Sequence, residues 1–157
     1  MKIKQTIDRY LEKILILIMS ILVIDVLWQV LSRYILSSPS SFTDELAGFL
    51  LIWVGILGAA YVAGQRQHLA IDLLIQKSSE SNKIKLYFFI NLCIALFAIS
   101  VMIIGGMWLV ITRFQFNVSS AALHIPLGYV YMVMPLSGLL ILFYSIYFII
   151  HPKENLT

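Results

Sequence analysis

The chain has 157 residues, 61% of them hydrophobic and only 12% charged, with 11 basic and 8 acidic side chains and a formal net charge of +3. A soluble domain carries about 25% charged residues, so a water-facing globule is excluded and the bilayer is the solvent, in line with a mean hydropathy of +0.93. A single cysteine, Cys93, excludes an internal disulfide and any CxxC redox or zinc motif, and the scattered basic residues give no nucleic-acid footprint.

Residues 2–13 place Ile3, Ile7, Tyr10 and Leu11 at helical spacing among Lys2, Lys4, Asp8, Arg9, Glu12 and Lys13. This pattern predicts an amphipathic lead-in at the membrane interface. It is not read as a cleavable signal peptide, because no small-residue cleavage site follows and the apolar run continues too far. The first span is expected over residues 14–36. Asp25, Gln29 and Arg33 interrupt it at i, i+4 and i+8, on one helical face. A carboxylate near mid-span costs on the order of 2.5–3.5 kcal/mol on insertion scales, so it should face protein. Two readings stand: an ion or proton site at Asp25, and a polar seam against a partner helix.

Residues 37–41 form a short polar turn. Ser41 or Thr43 is expected to cap the second helix, and Asp44 and Glu45 in its first turn suit the positive end of its dipole. Arg33 lies near the same membrane face and is a candidate ion-pair partner for them. The second span, residues 46–64, contains Trp53 and the small residues Gly55, Ala59 and Ala63 at intervals of four, a spacing that admits a second helix closely. Arg66, His68 and Asp72 then mark a polar connection in which residues 69–76 are expected to form a short interfacial helix. A lone histidine in a basic loop reads more readily as a headgroup contact than as a ligand.

The third span is expected over residues 86–111, with Gly105 and Gly106 allowing close packing or a bend, and the fourth over residues 126–150, opening on Pro126 and kinked near Pro135. The amino terminus, the connection between spans two and three and the carboxyl terminus hold nine of the eleven basic residues, leaving Arg33 and Arg113 for the other loops. The positive-inside rule then places both termini in the cytoplasm. The expected fold is an all-α integral membrane protein, one domain of four transmembrane helices with short interfacial helices at 2–13 and 69–76.

No Walker motif, HExxH or serine elbow occurs, and His68, His124 and His151 all fall at span edges, where they cannot serve as axial haem ligands. An enzyme is not expected, nor a cofactor in this chain. The remaining classes are an autonomous proton-coupled transporter using Asp25 in a homo-oligomer, and an accessory subunit of a larger permease.

Several blocks carry a resemblance. Gln29-Val30-Leu31-Ser32-Arg33-Tyr34 ends the first span and Asp44-Glu45-Leu46 opens the second. Trp53 and Gly58-Ala59-Ala60 follow, then Arg66, His68 and Asp72. Late in the chain come Ala121-Ala122-Leu123, Ile125-Pro126-Leu127-Gly128-Tyr129-Val130-Tyr131 and Pro135-Leu136. In order and spacing these resemble the small membrane subunit (DctQ type) of the tripartite ATP-independent periplasmic (TRAP) transporters, with Asp44 where the family commonly has glutamate. The resemblance implies a non-catalytic subunit in a bacterial inner membrane. Its implied partners are the lipid bilayer, a large membrane subunit carrying substrate and sodium, and a periplasmic substrate-binding protein. It implies organic-acid uptake, with sialic acid the first expectation and a C4-dicarboxylate the second. Asp25, Gln29, Arg33, Asp44 and Glu45 would then be interface or seam residues. Trp53, Gly55 and Ala59 would set helix packing, and Arg66, His68 and Asp72 would hold the cytoplasmic segment against headgroups or the partner.

Overall fold

The computed structural model describes residues 2–38, 40–65 and 80–151. Within them the chain forms α1 (Lys2–Tyr34), α2 (Ser41–Gln65), α3 (Glu80–Phe97), a π-helical segment π1 (Ala98–Gly105), α4 (Gly106–Gln115), α5 (Leu127–Tyr131) and α6 (Val133–Ile150). The only β feature among the described residues is an isolated bridge between Ser119 and Pro126. Among the described residues, four helical stretches are long and apolar enough to cross a bilayer: Ile3–Tyr34, Ser41–Gln65, Lys83–Gln115 and Leu127–Ile150.

The lead-in does not separate from the first span. α1 is one helix of 33 residues, about 50 Å long at 1.5 Å per residue. No glycine or proline interrupts residues 2–34, and the Lys4–Asp8 ion pair at 2.7 Å ties successive turns of its first part. The helix ends where Ser37 takes a left-handed φ of 49° and the amides of Ile35 and Leu36 return to the Leu31 carbonyl.

Ser40, rather than Ser41 or Thr43, caps α2. Its hydroxyl accepts the Thr43 amide at 3.4 Å, and the Thr43 hydroxyl donates to the Ser40 carbonyl at 3.1 Å. The helix starts at Ser41, so the residue just outside it is the one whose side chain reaches the free amides of the first turn.

The third span is continuous but widens over π1. The long π stretch has no sequence signature, and it faces the fourth span where side chains are missing. A Cβ on Gly138 would lie 2.8 Å from Met102 Cβ, and one on Gly106 would lie 3.1 Å from Pro135 Cδ. The two helices therefore approach closer than alanine allows. The fourth span breaks at Met132. Pro135 has no N–H to offer the carbonyl four residues earlier, and regular bonding resumes when the Leu136 amide reaches Met132 O at 3.3 Å. The interruption thus falls three residues before the proline expected to cause it. Pro126 is the capping residue of α5, not its first helical residue.

α2 and α6 form the centre. α6 packs against α2, α3 and π1, whereas α1 packs along α2. Leu11, Leu57, Ala60, Ala98, Val133 and Ile141 make the buried cluster. The fourth span is the most enclosed and the first the least, with 44% and 6% of an apolar 18-residue stretch of each buried within the chain.

Candidate functional site

Three anchors tie α2 to the fourth span and the loop before it. At the start of α2, Glu45 accepts the backbone amides of Ala121, Ala122 and Leu123 at 3.1, 2.7 and 3.0 Å. The loop is folded to present them. Asn117 and His124 take left-handed φ values of 48° and 55°, the Ser120 amide reaches Ile125 O, and the Leu127 amide reaches Val118 O, both at 2.9 Å. Glu45 therefore neither caps its own helix nor pairs with Arg33. Its carboxylate meets a concave row of amides, which binds an anion more directionally than one flexible cation does.

Two turns further along α2, the Trp53 indole N–H donates to Val130 O at 3.0 Å. Val130 precedes the break at Met132, so the indole supplies a donor beside the interrupted turn. Ser137, fully buried, donates to Ile56 O at 2.7 Å. Trp53 is partly buried against the core cluster, and its hydrogen bond is one that its apolar neighbours in the sequence do not reveal.

Within this chain the three expected seam residues have different surroundings. The Gln29 amide donates to the Asp44 carboxylate, joining α1 to α2. Arg33 is exposed and makes no ion pair among the described residues. It lines a cavity of about 240 Å³ with Gln29, Ser40, Ser41 and Asp44. Asp25 is 7% exposed, and its Oδ2 is covered without a hydrogen-bond partner. Glu45 is engaged by the loop, whereas Asp44 keeps one carboxylate oxygen beside the cavity that Arg33 also lines.

The small-residue face expected to set helix packing makes no close contact within this chain. Gly55 and Ala59 point away from the bundle, and Cβ atoms on Gly48, Gly55 or Gly58 would meet nothing within 4 Å. The intramolecular contact uses an adjacent line, Leu57, Ala60 and Gly64, with Gly64 directly under the Tyr144 ring, 2.7 Å from where a Cβ would stand. Arg66, His68 and Asp72, and the interfacial helix expected over 69–76, lie outside the described residues.

At the opposite end of the bundle from Glu45 is a cluster that the sequence reading missed. The Tyr144 hydroxyl donates to Asp8 at 2.6 Å, and Lys4, paired with the same carboxylate, lies 5.7 Å from the Tyr144 ring centre and 5.8 Å from that of Phe148. The two ends of the described chain therefore meet on one side. The only hint in the sequence is an i, i+4 Lys–Asp pair on α1; its aromatic partner is 136 residues away.

No group of three or more His, Cys, Asp or Glu able to hold a metal occurs among the described residues. Several of the polar groups fasten one helix to another, and four helices of spanning length define a multi-pass membrane protein. Comparison with known proteins gives the family. Residues 22–153 match the model described as the DctQ component of tripartite ATP-independent periplasmic transporters, and the chain belongs to this family. It is also 28% identical over 137 residues, covering 86% of this chain and 82% of the relative, to a protein of Haemophilus influenzae named as a TRAP transporter small permease protein. The chain is a small permease component of a TRAP transporter.

Proposed function

We propose that this chain widens and anchors the fixed scaffold of a larger sodium-coupled membrane subunit, and that its outer end helps dock a periplasmic substrate-binding protein. The observation that supports this most is the division of its surface. The anchors at Glu45, Trp53 and Ser137 are consumed inside the bundle, while Gly48, Gly55 and Gly58 of α2 open onto unfilled space and α1 is covered along little of its length. A helix face of small residues admits another helix closely. In this reading Arg33, Asp44 and the Glu45-held loop lie at the periplasmic end, and the Lys4–Asp8–Tyr144 cluster lies at the cytoplasmic end with both termini, in a bacterial inner membrane. The complex takes up organic acids, sialic acid first among them, and this chain holds no cofactor or sodium.

Co-purification tests the scaffold role. The chain co-expressed with its large subunit should be recovered as a complex, and Gly55→Leu or Ala59→Leu should reduce that recovery severalfold while leaving the isolated chain folded. Undiminished recovery with both variants would remove the α2 face from the interface.

A further inference from the structure

The junction of α1 and α2 holds two opposite charges around one cavity. Arg33 on the last turn of α1 and Asp44 on the first turn of α2 both line it, with Gln29, Ser40 and Ser41. The two do not meet: among the described residues Arg33 has no ion-pair partner. The space, about 240 Å³, is far larger than the roughly 10–15 Å³ that one water needs. It has room for a guest of several heavy atoms.

Each wall has a defined chemistry. Arg33 offers a planar fork of N–H donors that matches two phosphate oxygens. Ser40 takes the Thr43 amide on its hydroxyl oxygen and keeps its own proton to donate, and the Ser41 hydroxyl is a second donor. Gln29 donates to one carboxylate oxygen of Asp44, which fixes that side chain and leaves its other oxygen to accept. The acid decides between guests. An inorganic phosphate, an anionic lipid or an acidic peptide would answer Arg33 but set its own charge beside Asp44, where like charges repel. A guest that joins a phosphate to an ammonium answers both walls. A primary ammonium donates hydrogen bonds to a carboxylate, whereas a trimethylated one has no N–H to give.

The place of the cavity in the fold indicates the source of such a guest. It lies where the first span ends and the second begins, the level at which lipid headgroups sit. Tyr34, Ile35, Leu36 and Phe42 flank the same turn, and each is more than half exposed. A charged pocket beside exposed apolar side chains fits an amphiphile better than a soluble ion. We propose that the Arg33–Asp44 cavity is a headgroup site for phosphatidylethanolamine, with the phosphate on Arg33 and the two serine hydroxyls and the ammonium on Asp44. Glu45, the next residue, takes no part, because the loop amides hold its carboxylate.

Native mass spectrometry of the full chain tests this. The chain is equilibrated in detergent with equal amounts of phosphatidylethanolamine, phosphatidylcholine and phosphatidylglycerol carrying identical acyl chains. Wild type should retain the ethanolamine lipid severalfold over the other two, and inorganic phosphate should not displace it. Arg33→Gln should lower that retention severalfold, and Asp44→Asn should cancel the advantage over the other two lipids. Both side chains are exposed, and the headgroup comparison on wild type needs neither variant. Equal retention of the three lipids, or a preference that both variants keep, would overturn the proposal. So would a preference for the glycerol lipid or displacement by inorganic phosphate, either of which makes the cavity a plain anion site. The chain co-purified with its large subunit should still carry the ethanolamine lipid; its loss there would give the cavity to the partner subunit instead. The measurements on the isolated chain stand apart from the scaffold role.

Discussion

Gly138→Ala adds one methyl group where the third and fourth spans touch. The new Cβ would stand 2.8 Å from Met102 Cβ, 2.9 Å from Ile103 Cγ1 and 3.3 Å from Ile103 N, against an optimum of about 3.5–4.0 Å for carbon pairs. Rotation of Ile103 relieves only one of these contacts, because a Cβ and a backbone nitrogen move only with the helix. Overpacking of this kind costs about 1–3 kcal/mol, and the better helix propensity of alanine returns about 0.5–1 kcal/mol. A net loss of stability follows. Gly55→Ala makes the same chemical change where nothing lies within 4 Å, so propensity acts alone and the isolated chain should be unchanged or slightly more stable. Thermal unfolding of the purified chain in detergent, followed by tryptophan fluorescence, compares the two. If Gly138→Ala unfolds at the same temperature as Gly55→Ala, the close approach of π1 to α6 is not a feature of the folded protein.

Trp53→Phe keeps an aromatic ring but leaves Val130 O without the indole donor; an orphaned buried carbonyl costs about 1–3 kcal/mol, read as a lower unfolding temperature. Glu45→Gln keeps the shape but replaces the carboxylate that accepts three amides with a neutral oxygen, so hydrogen exchange at Ala121, Ala122 and Leu123 should quicken while the α6 amides stay protected. Tyr144→Phe removes the donor to the ion-paired Asp8 at a cost of about 1.5–3 kcal/mol, the range for a hydrogen bond to a charged group, and spin labels on α1 and α6 at that end should show a broader distance distribution. Asp25→Asn should retain substantial transport in the assembled complex; complete loss with the complex intact would give Asp25 an ion-coupling role.

Much of the fold is written in hydropathy, because a run of some twenty apolar residues has few alternatives to a spanning helix. The interruption of the fourth span is also legible, since Pro135 removes a specific amide. π1 is not, because nothing in Ala98–Gly105 distinguishes it from ordinary apolar helix. α2 illustrates a further limit. It carries two lines of small residues, Gly55 with Ala59 and Ala60 with Gly64, and spacing alone cannot say which one meets its own bundle. The structure assigns the second line to the bundle.

Glu45 and the block Ala121-Ala122-Leu123 are both recognisable in the sequence, but their connection is not. The atoms that bind the carboxylate are backbone amides, which every residue except proline possesses. Their convergence depends on the left-handed turns at Asn117 and His124. Asp25, Gln29 and Arg33 share a helical face by spacing, yet their fates differ according to what α2 places opposite each. Gln29 finds Asp44, Asp25 Oδ2 finds no partner among the described residues, and Arg33 stays exposed.

The central claim is that this chain supports transport without conducting it. Uptake of labelled sialic acid should be measured in proteoliposomes containing this chain alone, its large subunit alone or both, each with sodium and the periplasmic binding protein outside. Sodium-dependent uptake that requires both membrane chains, with none through this chain alone, is the expected result. Uptake through this chain alone, lost with Asp25→Asn, would contradict the account and identify an autonomous transporter.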